Sequence, residues 1–474
     1  MASGLSRMTN PVSRKPLLWL VALGVFMQML DSTIVNTALP AMAASLGESP
    51  LRMQSVVIAY ALAMATLIPA SGWLADRFGT RRVFFFAVAV FTLGSLLCAM
   101  AHTLQFLVAA RVVQGIGGSM LLPVGRLAVL RSYPRKEFLA AMSFVTLPGL
   151  IGPLIGPTLG GWLVEAISWH WIFLINLPVG VIAALATLRF MPDARSPVGA
   201  FDLPGYVMLA LSMVAISLSL DGLSELGLRH ATVAVLFLFG MAMFVAYWLH
   251  ASRVQRPLFS SALFAIPSYR VGVLGNLFSR IGSGSMPFLI PLLLQVGLGF
   301  TPMQAGMNMI PVALAGMVSK RAVVPIVRRF GYRRVLLVNT ILVGAAMASF
   351  ALIGPDQPAW LRMVQLSLFG LVNSLQFTAM NTVTLRDLDG DLASSGNSLL
   401  SMVMMLSMSL GVATAGGVLA AFSEAFGSGG GATALPAFHA TFVCVGLVTM
   451  MSAWIFWQLE PKRRYPVPEP ADPM

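Results

Sequence analysis

Fourteen apolar runs, each about 18 to 25 residues long, dominate this chain and leave it few folds to choose from. They cover 17–40, 53–71, 82–101, 104–127, 138–163, 171–190, 203–220, 231–250, 268–293, 304–326, 334–354, 360–380, 395–420 and 437–458. As a helix, a run of that length crosses about 30 Å of hydrocarbon. A backbone in lipid must satisfy its own hydrogen bonds, and these runs are too long and continuous for barrel strands. The expected fold is an all-α polytopic membrane protein. Composition excludes a soluble enzyme: 57% of the 474 residues are hydrophobic and 10% are charged, against roughly 25% charged in an average soluble domain.

The 30 Lys and Arg outnumber the 17 Asp and Glu, for a formal charge of +13. An excess of that size would also suit nucleic acid, so position decides. Twenty-four of the 30 fall in loops on the side of the N-terminus. Three (Arg52, Arg229, Arg362) fall on the opposite side, and three (Arg111, Arg126, Arg280) within runs or at their ends. Positive loops mark the cytoplasmic face, so both termini are expected in the cytoplasm, with no nucleic-acid partner. The first run passes Asp31 without a small-residue cleavage site and reads as a retained span. Cys98 and Cys444 lie far apart in apolar runs and read as buried thiols.

Arg77-Phe78-Gly79-Thr80-Arg81-Arg82 recurs as Arg329-Phe330-Gly331-Tyr332-Arg333-Arg334, each copy after the second run of a set of six. The repeat predicts a six-helix bundle at 17–190, an inserted helix pair at 203–250, a second six-helix bundle at 268–458 and a disordered cytoplasmic tail at 461–474. The inserted pair carries no deep charge and is expected to be structural or peripheral. Nothing outside the runs is large enough for a catalytic domain. The glycine-rich stretch 427–431 lacks the Lys and Ser/Thr of a phosphate-binding loop, so neither an enzyme nor an ATPase is expected. Paired halves around a central site are the architecture of secondary transporters.

Asp31 is the one carboxylate set deep in an apolar run. A group there that can be charged or protonated can exchange a proton for a substrate; a structural, capping Asp is the alternative. Asp31→Asn is expected to remove coupling and leave the fold intact. Arg111 cannot shed its charge and needs an acid, carbonyls or water beside it. Gln114 follows on the same run, and Glu165, at an outer end, is a second candidate for proton entry. Asn36 is expected to bond to a neighbouring helix. In the loop 72–82, Asp76 is expected to accept at a helix N-terminus or to pair with Arg77, Arg81 or Arg82, with Gly79 allowing the tight turn. These contacts would latch one conformation. Arg328 stands where the second copy would carry its acid, so the latch should be stronger in the first half. Gly149, Gly152-Pro153, Gly156-Pro157 and Gly160-Gly161 make a smooth helix face bent by its prolines.

Together, the stretches 30–40, 72–82, 107–118, 149–161, 169–178 and 201–205 resemble the major facilitator superfamily, in its fourteen-helix drug:proton antiporter branch. The resemblance runs from Trp19 to Trp457. It implies the major facilitator fold, with two six-helix bundles plus two inserted helices (14 transmembrane helices), in a bacterial inner membrane. It implies a role for Arg111 in proton coupling. It also makes the Gly152, Pro153, Gly156, Pro157, Gly160, Gly161 motif a mark of export. Small molecules and protons are the expected partners besides the lipid bilayer, with no cofactor, no metal and no obligate protein partner.

The cargo is less determined. Arg111, Arg126 and Arg280 face a single deep acid, and the second half offers Asn276, Arg280, Gln295, Asn308, Asn373, Gln376, Asn381 and Asn397. Of these, Asn276, Arg280, Asn308, Asn373 and Gln376, with Asn36 and Gln114, are the candidates for the substrate path. Excess positive charge favours an anionic or chelate-like solute over the cations that acidic and aromatic walls would hold. Three readings stand open: a proton-driven exporter of drugs or metabolites, an inward facilitator or symporter, and a non-transporting receptor or scaffold. The last leaves three embedded arginines without a purpose.

Overall fold

The computed structural model describes residues 15–196, 199–221, 230–388, 391–427 and 431–459, and among them the secondary structure is helical throughout. The tail 461–474, Arg7, Arg14, Arg229 and the middle of the glycine-rich stretch lie outside the described residues. Fourteen long helices follow the fourteen runs. They are α1 (Lys15–Ile34), α2 (Gln54–Phe78), α3 (Thr80–Ala99), α4 (Leu104–Ser132), α5 (Arg135–Ala166), α6 (Asn176–Phe190) and α7 (Leu203–Asp221). Then come α8 (His230–Ala251), α9 (Pro267–Ser283), α10 (Ile310–Phe330), α11 (Tyr332–Ala348), α12 (Ala359–Leu385), α13 (Asp391–Ala425) and α14 (Leu435–Met451). With their short continuations, thirteen are long and apolar enough to cross a membrane. The other, α5, has 32 residues and three internal prolines.

Several runs break inside the apolar stretch, each break with a local cause. The first ends its α-helix at Ile34 and tightens into a single turn, Val35–Thr37. There the hydroxyls of Ser32 and Thr33 bond back to the Met29 carbonyl at 2.9 and 3.1 Å, which loosens the helix. The ninth run breaks at Gly284-Ser285 before continuing as Met286–Leu292. The tenth opens with Pro302–Asn308, capped by Thr301 and Gln304. It restarts at Ile310 because Pro311 has no N–H to continue the ladder.

The two halves repeat each other's packing. In the first, α1 packs on α4, α5 and α6, α2 on α4, and α3 on α4 and α6. In the second, α9 packs on α12, α13 and α14, α10 on α12, and α11 on α12 and α14. Gly79 and Gly331, at φ 96° and 79°, make the same left-handed turn in the two copies of the repeated hexamer. The halves meet along two seams: α2 against α13, and α5 against Pro302–Asn308. At the end of the molecule away from the chain termini, one buried cluster joins Ile34, Met53 and Phe173 of the first half to Phe288, Phe350 and Phe442 of the second. At the end carrying the termini, Val323, Leu336 and Leu375 belong to a separate cluster drawn from the second half.

The inserted pair is not wholly peripheral. Helix α8 is exposed along most of its length, but α7 packs on both α2 and α13. The Ser217 and Ser409 hydroxyls share a buried hydrogen bond of 2.9 Å, and Gln54 donates to Asp221 at 2.9 Å.

Candidate functional site

Arg111 and Gln114 stand three residues apart on α4 and so share one helix face, turned toward α1. Asp31, in the last turn of α1, is fully buried and Arg111 is 1% exposed. The guanidinium donates through one Nη to Asp31 Oδ2 at 2.6 Å and to Gln114 Oε1 at 2.6 Å. Its Nε–H points to the Val56 carbonyl at 3.3 Å. Gln114 Nε2 in turn donates to Asp31 Oδ1 at 2.7 Å and to the Ser95 hydroxyl at 2.8 Å. Asn176, on the first turn of α6, completes the set by donating to Asp31 Oδ1 at 3.2 Å. The Tyr60 ring lies 4.1 Å from the guanidinium carbon and the Phe173 ring 5.8 Å. A charge in this interior costs several kcal/mol unless it is paired and hydrogen-bonded, and here both charges are.

Helices α1, α2, α3, α4 and α6 of one half therefore converge on a single carboxylate. The sequence pointed to Asp31, Arg111 and Gln114, and they come together. Asn176, Ser95 and Tyr60 were missed as contributors: Asn176 stood inside a motif read only as a family mark, and nothing local distinguishes Ser95 or Tyr60. One expectation needs correcting, and one candidate stands apart from this network. Among the described residues Asn36 makes no bond to another helix, its amide turning back to the Ser32 and Thr33 carbonyls at 3.3 and 3.4 Å. Glu165 is exposed and outside the network, accepting the Met303 backbone N–H at 3.3 Å; it bridges the α5 seam.

The glycine face of α5 explains how that seam closes. A side chain on Gly152 would strike the α1 backbone at Leu30, one on Gly156 the Thr33 side chain, and one on Gly160 the Ile34 carbonyl. Round the helix, Gly161 lies against the Pro302 backbone, and Gly306 of the opposite half lies against the Pro157 carbonyl. Thr158 donates to the Gly306 carbonyl at 3.2 Å. Pro153 and Pro157 remove backbone donors from this helix. One helix thus docks on α1 with one face and on the other half with the next.

At the other end, Asp76 pairs with Arg131 at the end of α4, rather than with the neighbouring arginines of its own loop. Arg131 also donates to the Ala194 carbonyl at 3.1 Å and to Ser196 at 2.7 Å. Arg81 donates to the Met191 carbonyl at 2.6 Å, and Arg77 lies over the Trp73 ring. Gly79 is closed over by Asp193, which leaves no room for a side chain. The segment 191–196, following α6, is therefore tied across the ends of α2, α3 and α4. In the second half, where Arg328 replaces the acid, Arg386 at the end of α12 pairs instead with adjacent Asp387.

The substrate-path candidates separate. Asn276 bonds to the Gly272 carbonyl at 3.0 Å, Gln376 to Thr340 and Asn339, and Asn308 accepts from Arg362 at 3.1 Å. The polar groups of Gln376 are thus held within the protein, like those of Gln114, whereas Asn276 keeps its Oδ1 buried without a partner. Arg280 lies against the Phe377 ring at 4.4 Å with no carboxylate bonded to it among the described residues, and its Nε is buried without a partner. Arg126 Nε is likewise unpartnered. Asn373, one turn before Phe377, is half-buried.

A model of the Major Facilitator Superfamily matches residues 21–412. The chain is 53% identical over 443 residues to the "Putative multidrug resistance protein MdtD" of Serratia proteamaculans, covering 93% of this chain and 92% of that protein. It is 51% identical over 454 residues to the protein of the same name in Pectobacterium atrosepticum, covering 96% and 97%. A solved POT family transporter in complex with 5-aminolevulinic acid matches at a TM-score of 0.67 and 15% identity, over 95% of this chain and 96% of that one. A second, bound to a thioalcohol-conjugated peptide, matches at 0.69 with the same identity and coverage. The last two are likenesses of fold.

Proposed function

The chain belongs to the Major Facilitator Superfamily, and we propose that it exports small molecules across a bacterial inner membrane in exchange for protons, with both termini in the cytoplasm. The reading rests above all on Asp31, a fully buried carboxylate held between a fixed cation and two amides. Protonation of Asp31 from the outer side converts a neutral ion pair into a lone buried guanidinium, which is costly unless the surroundings rearrange. Gln114 bonds to both partners and turns with either. The residues flanking Asp31 on α1, Leu30, Thr33 and Ile34, lie against the glycine face of α5. A shift of α1 is thereby passed to the Pro302–Asn308 seam and opens the outer end. Return of the proton to the cytoplasm, as cargo is captured from that side, restores the pair. The relatives named for multidrug resistance and the glycine motif favour export over uptake.

A second reading concerns the cargo. Arg126 and Arg280 keep unpartnered nitrogens in helices that carry no buried acid near them. They suit an anionic or chelate-like solute, for which Arg280, Phe377 and Asn373 would be the contacts. The test is transport by the purified protein in liposomes, with lipophilic cations and small carboxylate anions offered in parallel. Proton movement triggered by anions supports the second reading; movement triggered by cations alone removes it and leaves the first.

A further inference from the structure

A cavity of about 650 Å³ opens at the end of the molecule carrying the termini, outside the network around Asp31. Its walls are Leu74 and Phe78 of α2, Phe86 of α3, Met120 of α4 and Leu188 of α6. Phe78, Phe86 and Leu188 are about half exposed, at 46%, 53% and 53%, on helices that cross the membrane. An apolar recess open to the lipid side takes hydrocarbon, not water-soluble cargo. Its rim is different: Arg81, Arg82 and Asp193. Arg195 is paired with Asp193 at 3.7 Å. Arg81 uses its Nε on the Met191 carbonyl and keeps its other N–H groups. Arg82 is exposed and makes no hydrogen bond or ion pair among the described residues.

We propose that this recess binds a single anionic phospholipid of the leaflet on the side of the termini, its phosphate on Arg81 and Arg82 and an acyl chain between Phe78, Phe86 and Leu188. Three observations meet here. The recess lies where α2 and α6 end and α3 begins, at the level where headgroups meet the protein. Its interior is apolar while its rim carries a planar pair of donors suited to phosphate oxygens. The exposed arginine of the rim, Arg82, has no hydrogen-bond or ion-pair partner among the described residues. A bound headgroup would sit beside Gly79 and Asp193, against the segment that Asp76 and Arg131 tie down.

The sequence repeat supplies the control. Arg334 is the second-half counterpart of Arg82 and carries the same charge on the same side of the molecule. The experiment is native mass spectrometry of the purified, delipidated full chain, titrated with phosphatidylglycerol or phosphatidylcholine. Phosphatidylglycerol should bind in preference, as one retained molecule. Arg82→Gln should weaken that binding about fivefold, the equivalent of about 1 kcal/mol for one basic residue facing an anionic headgroup, while Arg334→Gln leaves it unchanged. Equal losses in the two variants would mean diffuse surface charge and overturn the proposal, as would equal binding of the two lipids. Displacement of phosphatidylglycerol by millimolar inorganic phosphate would make the site one for a free anion and overturn it too. Retention of the lipid through that challenge supports it.

Discussion

At the scale of single residues, the Asp31–Arg111 pair changes what a substitution there does. With both charges buried, Arg111→Ala strands a carboxylate, and loss of one partner of such a pair costs about 3–5 kcal/mol. Asp31→Asn strands the guanidinium in the same way, so the expectation that this change spares the fold gives way to a destabilised protein. The double variant Asp31→Asn with Arg111→Gln carries no charge and should recover most of the loss in thermal unfolding; additive losses would mean that the two residues do not act as a pair. Asp202 offers a second test. It caps α7 by accepting the Gly205 N–H at 3.0 Å, and it also holds His250 at 2.8 Å and the Leu258 N–H at 3.0 Å. Burial pushes its carboxyl up, but the hydrogen bonds from His250, Gly205 and Leu258 outweigh that and hold it below the usual carboxylate range. A depressed folded value means that the clamp is fully stabilising above about pH 4, the ordinary Asp value, and fades as the pH falls through the folded value. Limited proteolysis of the segment 252–266 should find it protected at pH 7 and cut in acid, and Asp202→Asn should be cut at pH 7. Equal protection at both pH values would remove the clamp. The deep pair was legible in the sequence because a charge in lipid needs a partner, and few were on offer. Asn176 and Arg131 were not. An amide at a helix start and one loop arginine among many acquire their roles only when α6 meets α1 and α4 meets α2.

At the scale of elements, the fourteen long helices were legible from hydropathy alone, while the breaks within the apolar runs were not. The apolar runs pass straight through Gly284-Ser285 and Asn308-Met309 because helix and break are equally apolar there. The breaks matter, since Pro302–Asn308 is the piece that docks on α5. Gly306→Leu would force a side chain onto the Pro157 carbonyl and should hold the seam between α5 and Pro302–Asn308 apart. Thr37, whose carbonyl accepts from Gln295 across the halves at 3.0 Å, is fully buried. A Thr37→Cys reporter, with Cys98 and Cys444 changed to Ser, should go from protected to labelled when Gly306→Leu is added. Continued protection would mean that the seam does not depend on this close approach. The loop motif was legible as a tight turn with an acid in need of a cation, but the partner of Asp76 was not, since Arg131 is 55 residues away in sequence.

At the scale of the whole molecule, two halves with matching helix contacts are joined by buried apolar clusters both away from the termini and toward them, and the only buried carboxylate–arginine pair among the described residues lies in the first of them. An asymmetric arrangement of this kind lets one half take the proton while both move. The repeated hexamer pointed to matching halves; the bridging position of α7 is marked in its sequence only by Ser212, Ser217 and Ser219, which are buried, and serines in an apolar helix do not say which helices they meet. The central claim is that Asp31 exchanges protons for cargo. The most direct test is proton flux from purified protein in liposomes under an imposed pH gradient, comparing the wild type with the charge-free Asp31→Asn, Arg111→Gln variant. Substrate-triggered proton movement in the wild type, absent from a variant that still folds, is the predicted result. Equal movement in both would contradict it and assign the coupling to another group.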